Sequence, residues 1–334
     1  MALRELTAEV SLVGPDGRLN PEAVGWARRP LVDPSGLLRR PGRAWGRMKR
    51  WEYWNVITPD HILALTVSSI DYAAVSEVWV YDRASGREWG RAATLLPARG
   101  AELPDRLDGG VASARAKDLY AEIRPQGGGV RLTARIPDVW FTVDVSRPDG
   151  HECLAVVVPW SDRRFQYTVK DVALPASGTL TIEGRQYRVP DGSWAVLDHG
   201  RGRWPYDVAW NWAAASGISD GRVVGLQLGG QWTQGTGSTE NGVFLDGRLH
   251  KIHEELDWAY DPAGVLRPWR VTGSGLDATL EPFHDKRSSS NLGLVSARTD
   301  QCFGTWSGTF TPLDGDPVSF DGLVGWAEDV HNRW

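Results

Sequence analysis

The chain has 334 residues, a formal net charge of −5, and basic side chains that are scattered rather than clustered. These properties exclude the basic surface on which DNA- and RNA-binding proteins depend, so we expect no nucleic-acid partner. No stretch reaches the roughly 18 apolar residues of a membrane-spanning helix, and the N-terminus lacks a signal-peptide pattern; we predict a cytoplasmic protein with no stable membrane insertion.

The aromatic composition is unusual, because the chain has 18 Trp but only 7 Phe and 2 Met. Each buried Trp covers a large apolar area while its indole N–H still needs a hydrogen-bond acceptor. The composition therefore indicates an aromatic core or an aromatic binding cavity. Cys153 and Cys302 lie in no metal-binding or disulfide pattern, and we predict no metal site and no cofactor.

The predicted elements are almost all β-strands, since apolar residues recur in short runs separated by Gly, Pro, Asp or Asn. The best helical pattern, PEAVGWARR over residues 21–29, is short. The sequence predicts an all-β fold of two lipocalin-like antiparallel β-barrel or sandwich domains with few short helices. The strand pattern is clearest in HILALTVSSI (61–70), VSEVWVYD (75–82), VRLTARI (130–136), VWFTVDV (139–145), CLAVVVPW (153–160), FQYTVKDV (165–172) and GRVVGLQLGG (221–230).

A domain boundary is expected near residue 190. The segment at 173–194 contains two prolines and three glycines and is the least strand-like stretch near the middle of the chain. An all-β chain of this length usually divides into two barrels or sandwiches. We therefore predict an N-terminal domain of residues 1–190 and a C-terminal domain of residues 191–334.

The segment DHGRGRWPYDVAWNWAAASG, residues 198–217, combines charged and aromatic side chains. Strand alternation places Trp194 and Asp198 on one face and His199 on the other. The same alternation sends Trp210 and Trp212 one way and Asn211 the other. A carboxylate and two indoles are thus predicted to face a barrel interior, where burial would raise the pKa of Asp198. The alternative is an ion pair between Asp198 and Arg203 at the mouth of a loop.

Two further segments carry candidate binding residues. Glu240 and Asn241 in GSTENG are expected to form a solvated turn, although Glu240 would also supply a second carboxylate for acid and base chemistry. In RWEYWN, alternation places Trp51 and Tyr53 on one face and Trp54 on the other. The rings of Tyr53 and Trp54 line a cleft between domains or serve as packing. The segment FHDKRSSSN (283–291) is expected to be a surface loop.

Several ordered sequence blocks resemble the bacterial domain-of-unknown-function family 2804 along almost the whole chain. These blocks are GWARRPL, WEYWNVITPDHILALTVSSIDYA, WNWAAASG, ENGVFLDGRLHKI, CFGTWSGTF and FDGLVGWAEDVHNRW. The resemblance supports the extent of the fold and implies no activity, since the function of that family is not established.

A more distant similarity concerns WAVLDHG followed by WNW, at residues 194–200 and 210–212. This pattern is similar to that of carotenoid hydratases, AttH-like proteins and lipocalin-like Diels-Alderases. The similarity implies two lipocalin-like domains around an apolar cavity and, in some members, protonation or cyclisation of a polyene. Asn211 stands where that group usually has Asp, which removes one candidate acid.

We therefore expect a cavity for a hydrophobic or aromatic small molecule. If the protein is an enzyme, we expect a cofactor-free hydratase, isomerase or cyclase in which Asp198 is the acid and His199 or Tyr206 orients it. Trp204, Trp210 and Trp212 would then form walls that stabilise positive charge.

Two alternatives remain at this level. The first is a non-catalytic carrier or sensor that uses the same cavity. The second is carbohydrate binding or processing, with Asp198 and Glu240 as a carboxylate pair on either side of a sugar. The sequence predicts no oligomeric state.

Overall fold

A computed structural model describes residues 3–39, 45–291, 293 and 295–334, and these residues form an all-β structure. The only helices among them are two short 3₁₀ helices, Pro21–Ala23 and Ser35–Arg39. None of the helices in the described part of the chain is long and apolar enough to cross a membrane. The predicted fold class is confirmed.

The N-terminal part of the chain builds one strongly curled antiparallel sheet, here called the first half-barrel. Along this sheet the strand order is β7-β6-β5-β4-β15-β14-β12-β11-β10-β9-β8; β13 also pairs with β14, and β2 pairs with β13. Strands β1 and β3 form a separate two-stranded parallel sheet. The strands of this part are β1 (Val10–Ser11), β2 (Trp26–Ala27), β3 (Val32–Asp33), β4 (Met48–Ile57), β5 (His61–Ser69), β6 (Ala74–Asp82), β7 (Glu88–Leu95), β8 (Ala101–Glu102), β9 (Ala112–Ala116), β10 (Leu119–Gln126), β11 (Gly129–Ile136), β12 (Val139–Ser146), β13 (Leu154–Pro159), β14 (Phe165–Ile182) and β15 (Arg185–Arg203).

The remaining strands form the second half-barrel, in the order β19-β18-β17-β16-β24-β23-β22-β21-β20. In this sheet β16 and β24 are the neighbouring strands at which two meanders meet. They correspond to β4 and β15, where two runs of strands meet in the first half-barrel. The strands are β16 (Asp207–Ser219), β17 (Arg222–Gly230), β18 (Asn241–Leu245), β19 (Arg248–Ile252), β20 (Asp257–Ala259), β21 (Trp269–Gly273), β22 (Leu276–Asn291), β23 (Ser296–Phe310) and β24 (Val318–Arg333).

Two segments that look irregular in the sequence are strands in the structure. The proline- and glycine-rich segment at 173–194 belongs to the long hairpin of β14 and β15, where register shifts between Asp171 and Leu174 and between Ala176 and Gly178 absorb the irregularity. The segment 283–291 lies in β22 and pairs with β23, so the surface-loop prediction is wrong. The polar side chains of that segment are compatible with a strand because β22 is exposed near its end.

The domain division at residue 190 stays a prediction. Strand β15 runs through residue 190, and the chain passes from the first half-barrel to the second between Arg203 and Asp207.

Four apolar cores follow from this arrangement, one of which packs the N-terminal segment against β13 and β14 and contains Leu12 and Tyr167. Of the other three, one lies within the first half-barrel and contains Trp54 and Phe141, and one lies within the second and contains Trp269 and Trp306. A third core lies between the half-barrels and is rich in indoles, among them Trp212. The strands that form this third core present their other face to the half-barrel interiors, so both faces bury apolar residues.

Candidate functional site in the cleft between the half-barrels

A cavity of about 320 Å³ lies between the two half-barrels. Its walls come from β4, β5, β6, β14 and β15 on one side and from β16, β22, β23 and β24 on the other. The sequence predicted a cavity inside a barrel, whereas this cavity lies outside both half-barrels. The reason is that each sheet curls so that the face carrying these aromatic side chains is turned outward. The aromatic side chains in its walls are Trp51, Tyr53, Trp204, Trp210, Trp212, Trp232 and Trp334.

Strand alternation places the aromatic side chains of β4 as predicted. Trp51 and Tyr53 line the cavity, whereas Trp54 is buried in the core of the first half-barrel. The Tyr53 hydroxyl accepts hydrogen bonds from Asn55 Nδ2 at 3.1 Å and from Gln301 Nε2 at 3.2 Å. Since Gln301 belongs to β23, Tyr53 joins the two half-barrels across the cleft.

Strand β16 follows the same rule. Trp210 and Trp212 line the cavity, and Asn211 points to the opposite face. There the Asn211 amide donates to the Tyr260 hydroxyl at 3.1 Å and accepts from Gln231 Nε2 at 2.7 Å. The departure from the hydratase-like pattern at Asn211 therefore does not change the composition of the cavity.

Indole contacts make the aromatic wall continuous. Trp204 stacks on Trp232 with ring centroids 5.5 Å apart, and its edge contacts Trp51 at 5.5 Å and Trp334 at 5.9 Å. Trp160 packs against the Trp204 ring, with ring centroids 5.0 Å apart. Such offset and edge-to-face pairs are the favoured aromatic geometries, so this wall is held rigidly.

The charged part of the cavity is centred on Lys170, which the sequence did not single out. Lys170 of β14 lies directly opposite Asp198 of β15 in the antiparallel register. Its Nζ is 3.0 Å from Asp198 Oδ1 and 3.3 Å from Glu240 Oε2. The same Nζ lies 4.1 Å from the centroid of Trp212, a cation–π contact. One buried ammonium group thus bridges two carboxylates against an indole face.

Asp198 accepts hydrogen bonds from two further donors. Trp51 Nε1 donates at 2.9 Å and Thr168 Oγ1 at 3.2 Å. The Asp198 carboxylate is therefore an acceptor in a closed network. The alternative of an ion pair with Arg203 is wrong, because the Arg203 guanidinium donates to the carbonyls of Gly17 and Leu37.

Glu240 is buried rather than solvated, so the turn interpretation of GSTENG is wrong. The residue precedes β18, and its Oε1 accepts from Trp232 Nε1 at 2.6 Å. Burial raises the pKa of Glu240, while the Lys170 charge opposes that shift. The neighbouring Asn241 has a structural role: its Oδ1 accepts from the Gly229 backbone N–H at 2.7 Å.

Glu328 is a third buried carboxyl group of the cavity, and no sequence pattern indicated it. It lies on β24 opposite Trp212, and its Oε1 accepts from Trp210 Nε1 at 2.8 Å. Burial raises the pKa of Glu328 to about 7, although the hydrogen bond from Trp210 and the charge of Lys170 act against the shift. Only the pairing of β24 with β16 brings this carboxyl to the indoles.

The remaining predicted residues lie away from the cavity. His199 points to the opposite face of β15, where its Nδ1 is 3.5 Å from Glu52 Oε1. It therefore does not orient Asp198. Tyr206 lies in the connection to β16, where the Arg47 guanidinium stacks over its ring at 5.4 Å. Trp194 is partly exposed further along β15.

No group of three or more His, Cys, Asp and Glu side chains in the described part of the chain has an arrangement that could hold a metal ion.

The fold and the site together define the class of the protein: two strongly curled antiparallel half-barrels with an indole-lined cavity of small-molecule size between them. The chain belongs to the family described as a domain of unknown function, DUF2804, which matches residues 3–334. The family resemblance drawn from the sequence blocks is thus confirmed. No curated protein matches the sequence at a significant level.

Solved structures share the fold at low sequence identity. Kievitone hydratase from Nectria haematococca is similar with a TM-score of 0.53 and 12% identity, over 86% of this chain and 89% of that chain. CghA, crystallised with Sch210972, has a TM-score of 0.51 and 13% identity, over 86% and 89% of the two chains. A putative AttH from Nitrosomonas europaea has a TM-score of 0.50 and 14% identity, over 85% and 92%. These similarities confirm the distant resemblance at the level of fold.

Proposed function

We propose that the protein binds an apolar or aromatic, unsaturated small molecule in the cleft and catalyses its cofactor-free hydration, isomerisation or cyclisation by proton transfer. The observation that carries this proposal is Glu328, a buried carboxyl group in the wall of an indole-lined cavity. A carboxyl group with a pKa near the working pH is the group that general acid catalysis requires.

The size and the walls of the cavity support a small apolar ligand. Its volume of about 320 Å³ lies near the lower end of the usual range for small-molecule sites, roughly 300 to 1,000 Å³. Trp204, Trp210 and Trp212 present ring surfaces to the cavity, because their indole N–H groups already donate to protein side chains. An unsaturated hydrocarbon would exchange water contacts for these rings.

Glu328 supports the proton-transfer step. With a pKa of about 7 it carries its proton in a large fraction of molecules at neutral pH. In a hydration, that proton would move to one alkene carbon while water adds to the other carbon. The proton released by the water would return to a carboxylate of the cavity, which restores the starting state. Positive charge developing on the substrate would be stabilised by the indole faces.

In this proposal Glu328 takes the role that the sequence assigned to Asp198. Asp198 is surrounded by Lys170, Trp51 and Thr168, all of which donate to it. These donors suit a carboxylate that holds the network in place. Asp198 and Lys170 would then act as positioning residues for the cavity wall.

The structural neighbours add to this proposal without carrying it. One of them is named a hydratase, and another was crystallised with the small molecule Sch210972. Their similarity to this chain concerns the fold, so any shared chemistry is part of the proposal.

A solvent-deuterium experiment tests the proposal. Small molecules extracted from the organism that produces the protein are incubated with it in D₂O, and mass spectrometry follows their deuterium content and any gain of one D₂O. We expect wild-type protein to label at least one apolar compound and Glu328→Gln to slow that labelling about 100-fold or more. Affinity for the labelled compound should change only a few-fold.

The matched variant is Asp198→Asn, which removes the neighbouring carboxylate of the same cavity. If Asp198→Asn abolishes labelling and Glu328→Gln does not, the acid is Asp198 and our assignment of Glu328 fails. Binding of a compound that wild-type protein never labels would favour a carrier.

The carrier is the second candidate function, and one observation favours it. Asp198 and Glu240 already have hydrogen-bond donors from the protein, as expected of polar groups that shape a binding cavity without reacting. Sugar hydrolysis is less compatible with the cleft. Asp198 and Glu240 are both paired with the same Lys170 ammonium, so that cation occupies the position between them.

A further inference from the structure

Lys49 is a buried cation in the cavity wall with no carboxylate at ion-pair distance among the described residues. It lies on β4, on the same face as Trp51 and Tyr53. Its Nζ donates to the backbone carbonyls of Gly46 at 3.2 Å and Ile70 at 3.1 Å. An ammonium group has three donors, so these two bonds leave one N–H for another acceptor.

The surroundings of Lys49 stabilise its charge only in part. Its Nζ lies 5.0 Å from the centroid of Tyr72 and 4.8 Å from that of Trp334, so two aromatic faces contact the cation. Burial lowers the pKa of Lys49 to about 7; the charge of Asp71 opposes this shift and that of Arg47 adds to it. A buried cation in this state gains more from an anionic partner than an exposed one would.

The other lysines of the cavity differ, because each of them already has a carboxylate. Lys170 is paired with Asp198 and Glu240, and Lys286 Nζ lies 2.6 Å from Glu77 Oε2 across the cleft. The cavity is therefore polarised. At one end Asp198 and Glu240 share Lys170 and the Glu328 carboxyl lies nearby, while the cation at the Lys49 end has no carboxylate at ion-pair distance among the described residues.

An aromatic path connects these two ends. Trp334 contacts Lys49, Trp204 contacts Trp334, and Trp51 contacts Trp204 and donates to Asp198. Along β4, residues two apart on one face are separated by about 6.6 Å. A molecule of small-ligand size that lies along the indoles can therefore reach Lys49 with one end and the carboxyl groups with the other.

We propose that the Lys49 ammonium binds an anionic oxygen of the cleft ligand, a carboxylate or an ionised enol, which rests on the proposed ligand-binding function of the cleft. The ligand class is then an amphipathic molecule with an unsaturated or aromatic body and one acidic group. Its acidic group anchors it at Lys49 and directs its apolar body toward Glu328.

A pair of fluorescent probes tests this inference. 1-Anilinonaphthalene-8-sulfonate and the uncharged N-phenyl-1-naphthylamine have nearly the same apolar body, and only the first has an anionic group. We expect wild-type protein to bind the sulfonate probe more tightly. Lys49→Met should weaken that binding about 10- to 100-fold, the loss expected for a charge-assisted hydrogen bond, and change the affinity for the neutral probe less than about threefold.

Three further variants accompany Lys49→Met. Arg83→Gln removes one positive charge outside the cavity, where the guanidinium donates to the carbonyls of Thr58 and Pro59, and should leave the preference unchanged. Thr66→Trp fills the cavity and should weaken the binding of both probes. Lys49→Arg retains the charge and should retain the preference, while circular dichroism checks that each variant is folded.

The outcomes separate the two proposals. If both probes bind in the cleft and Lys49→Met keeps the wild-type preference, the inference about Lys49 is overturned while cleft binding stands. If neither probe binds, or if Thr66→Trp changes neither affinity, the binding function of the cleft fails together with it.

Discussion

The two faces of strand β15 carry buried charged groups of similar kinds in different surroundings. On one face Asp198 joins Lys170 and Glu240 at the wall of the cavity. On the other face His199 and Arg201 surround Glu52, and none of these three side chains lines the cavity. All six side chains are buried.

The difference between the faces lies in what the charges contact. Arg201 donates to Glu52 at 3.0 Å and also to the carbonyls of Trp51, Gly200 and Pro104, so both of its terminal nitrogens donate within the protein. On the cavity face an indole wall and open volume lie beside the carboxyl groups. Buried charge alone is thus a poor sign of function, and buried charge beside a cavity is a better one.

The largest effect on stability is expected from Glu52→Gln, which tests whether the His199 face is structural. This variant leaves the Arg201 guanidinium buried without its counter-charge, and we expect the free energy of unfolding to fall by about 3 to 5 kcal/mol. Urea denaturation measures the change. Glu183→Gln, which breaks the exposed pair with Arg87, should leave the free energy of unfolding almost unchanged. Equal losses for the two variants would remove the basis of the comparison.

Lys170→Met should have the next largest effect, and it should depend on pH. Without the ammonium group, Asp198 and Glu240 lose the cation with which both are paired, at a cost of about 3 kcal/mol near pH 8. Near pH 5 the cost should be smaller, because the raised pKa values of Glu240 and Glu328 let these groups bind protons. Denaturation at the two pH values checks this; a cost independent of pH would contradict it.

Glu328→Gln should flatten the pH dependence of stability. The folded-state pKa of about 7 lies above the ordinary value of 4.5, so the group's contribution is fully present below about pH 4.5 and is lost as the pH rises through 7. The total change is on the order of 3 kcal/mol. Unfolding free energies measured between pH 4.5 and 8 should fall less steeply in Glu328→Gln than in wild-type protein.

His199→Gln is the counterpart on the other face and should act with the opposite sign. Burial lowers the pKa of His199 to about 4, below its ordinary value of 6.5. Its contribution is therefore present above pH 6.5 and is lost as the pH falls through 4. Glu328→Gln and His199→Gln should thus remove slopes of opposite direction; slopes of the same direction would show that one of the two assignments is incorrect.

Trp51→Phe should have the smallest effect. It removes the indole N–H that donates to Asp198 and keeps an aromatic ring in the wall, so we expect a loss of about 1 to 2 kcal/mol. Trp140→Phe, at an exposed position, should change stability by less than about 0.5 kcal/mol. If Trp51→Phe has the same free energy of unfolding as wild-type protein, the hydrogen bond from Trp51 to Asp198 does not stabilise the Asp198 network.

Part of the site was predictable because strand alternation is a local property. The sequence correctly separated Trp51 and Tyr53 from Trp54, Asp198 from His199, and Trp210 and Trp212 from Asn211. It also indicated the all-β class, since short apolar runs between turn residues depend only on neighbouring positions.

The sequence could not predict which side chains meet across strands. Lys170 reaches Asp198 through the register of β14 with β15, and Glu328 reaches the indoles through the register of β24 with β16. Both residues are far in sequence from the residues they contact. Glu240 was misinterpreted because an Asn-Gly pair usually marks an exposed turn.

By itself, then, the sequence determined which residues share a face of each strand, because the backbone alternates every two residues. The tertiary structure alone decided that the cavity lies between the half-barrels and that Lys170, Glu328 and Lys49 line it. The reason is that strand register and sheet curl are set by long-range pairing and packing, and these determine whether a given face is turned inward or outward.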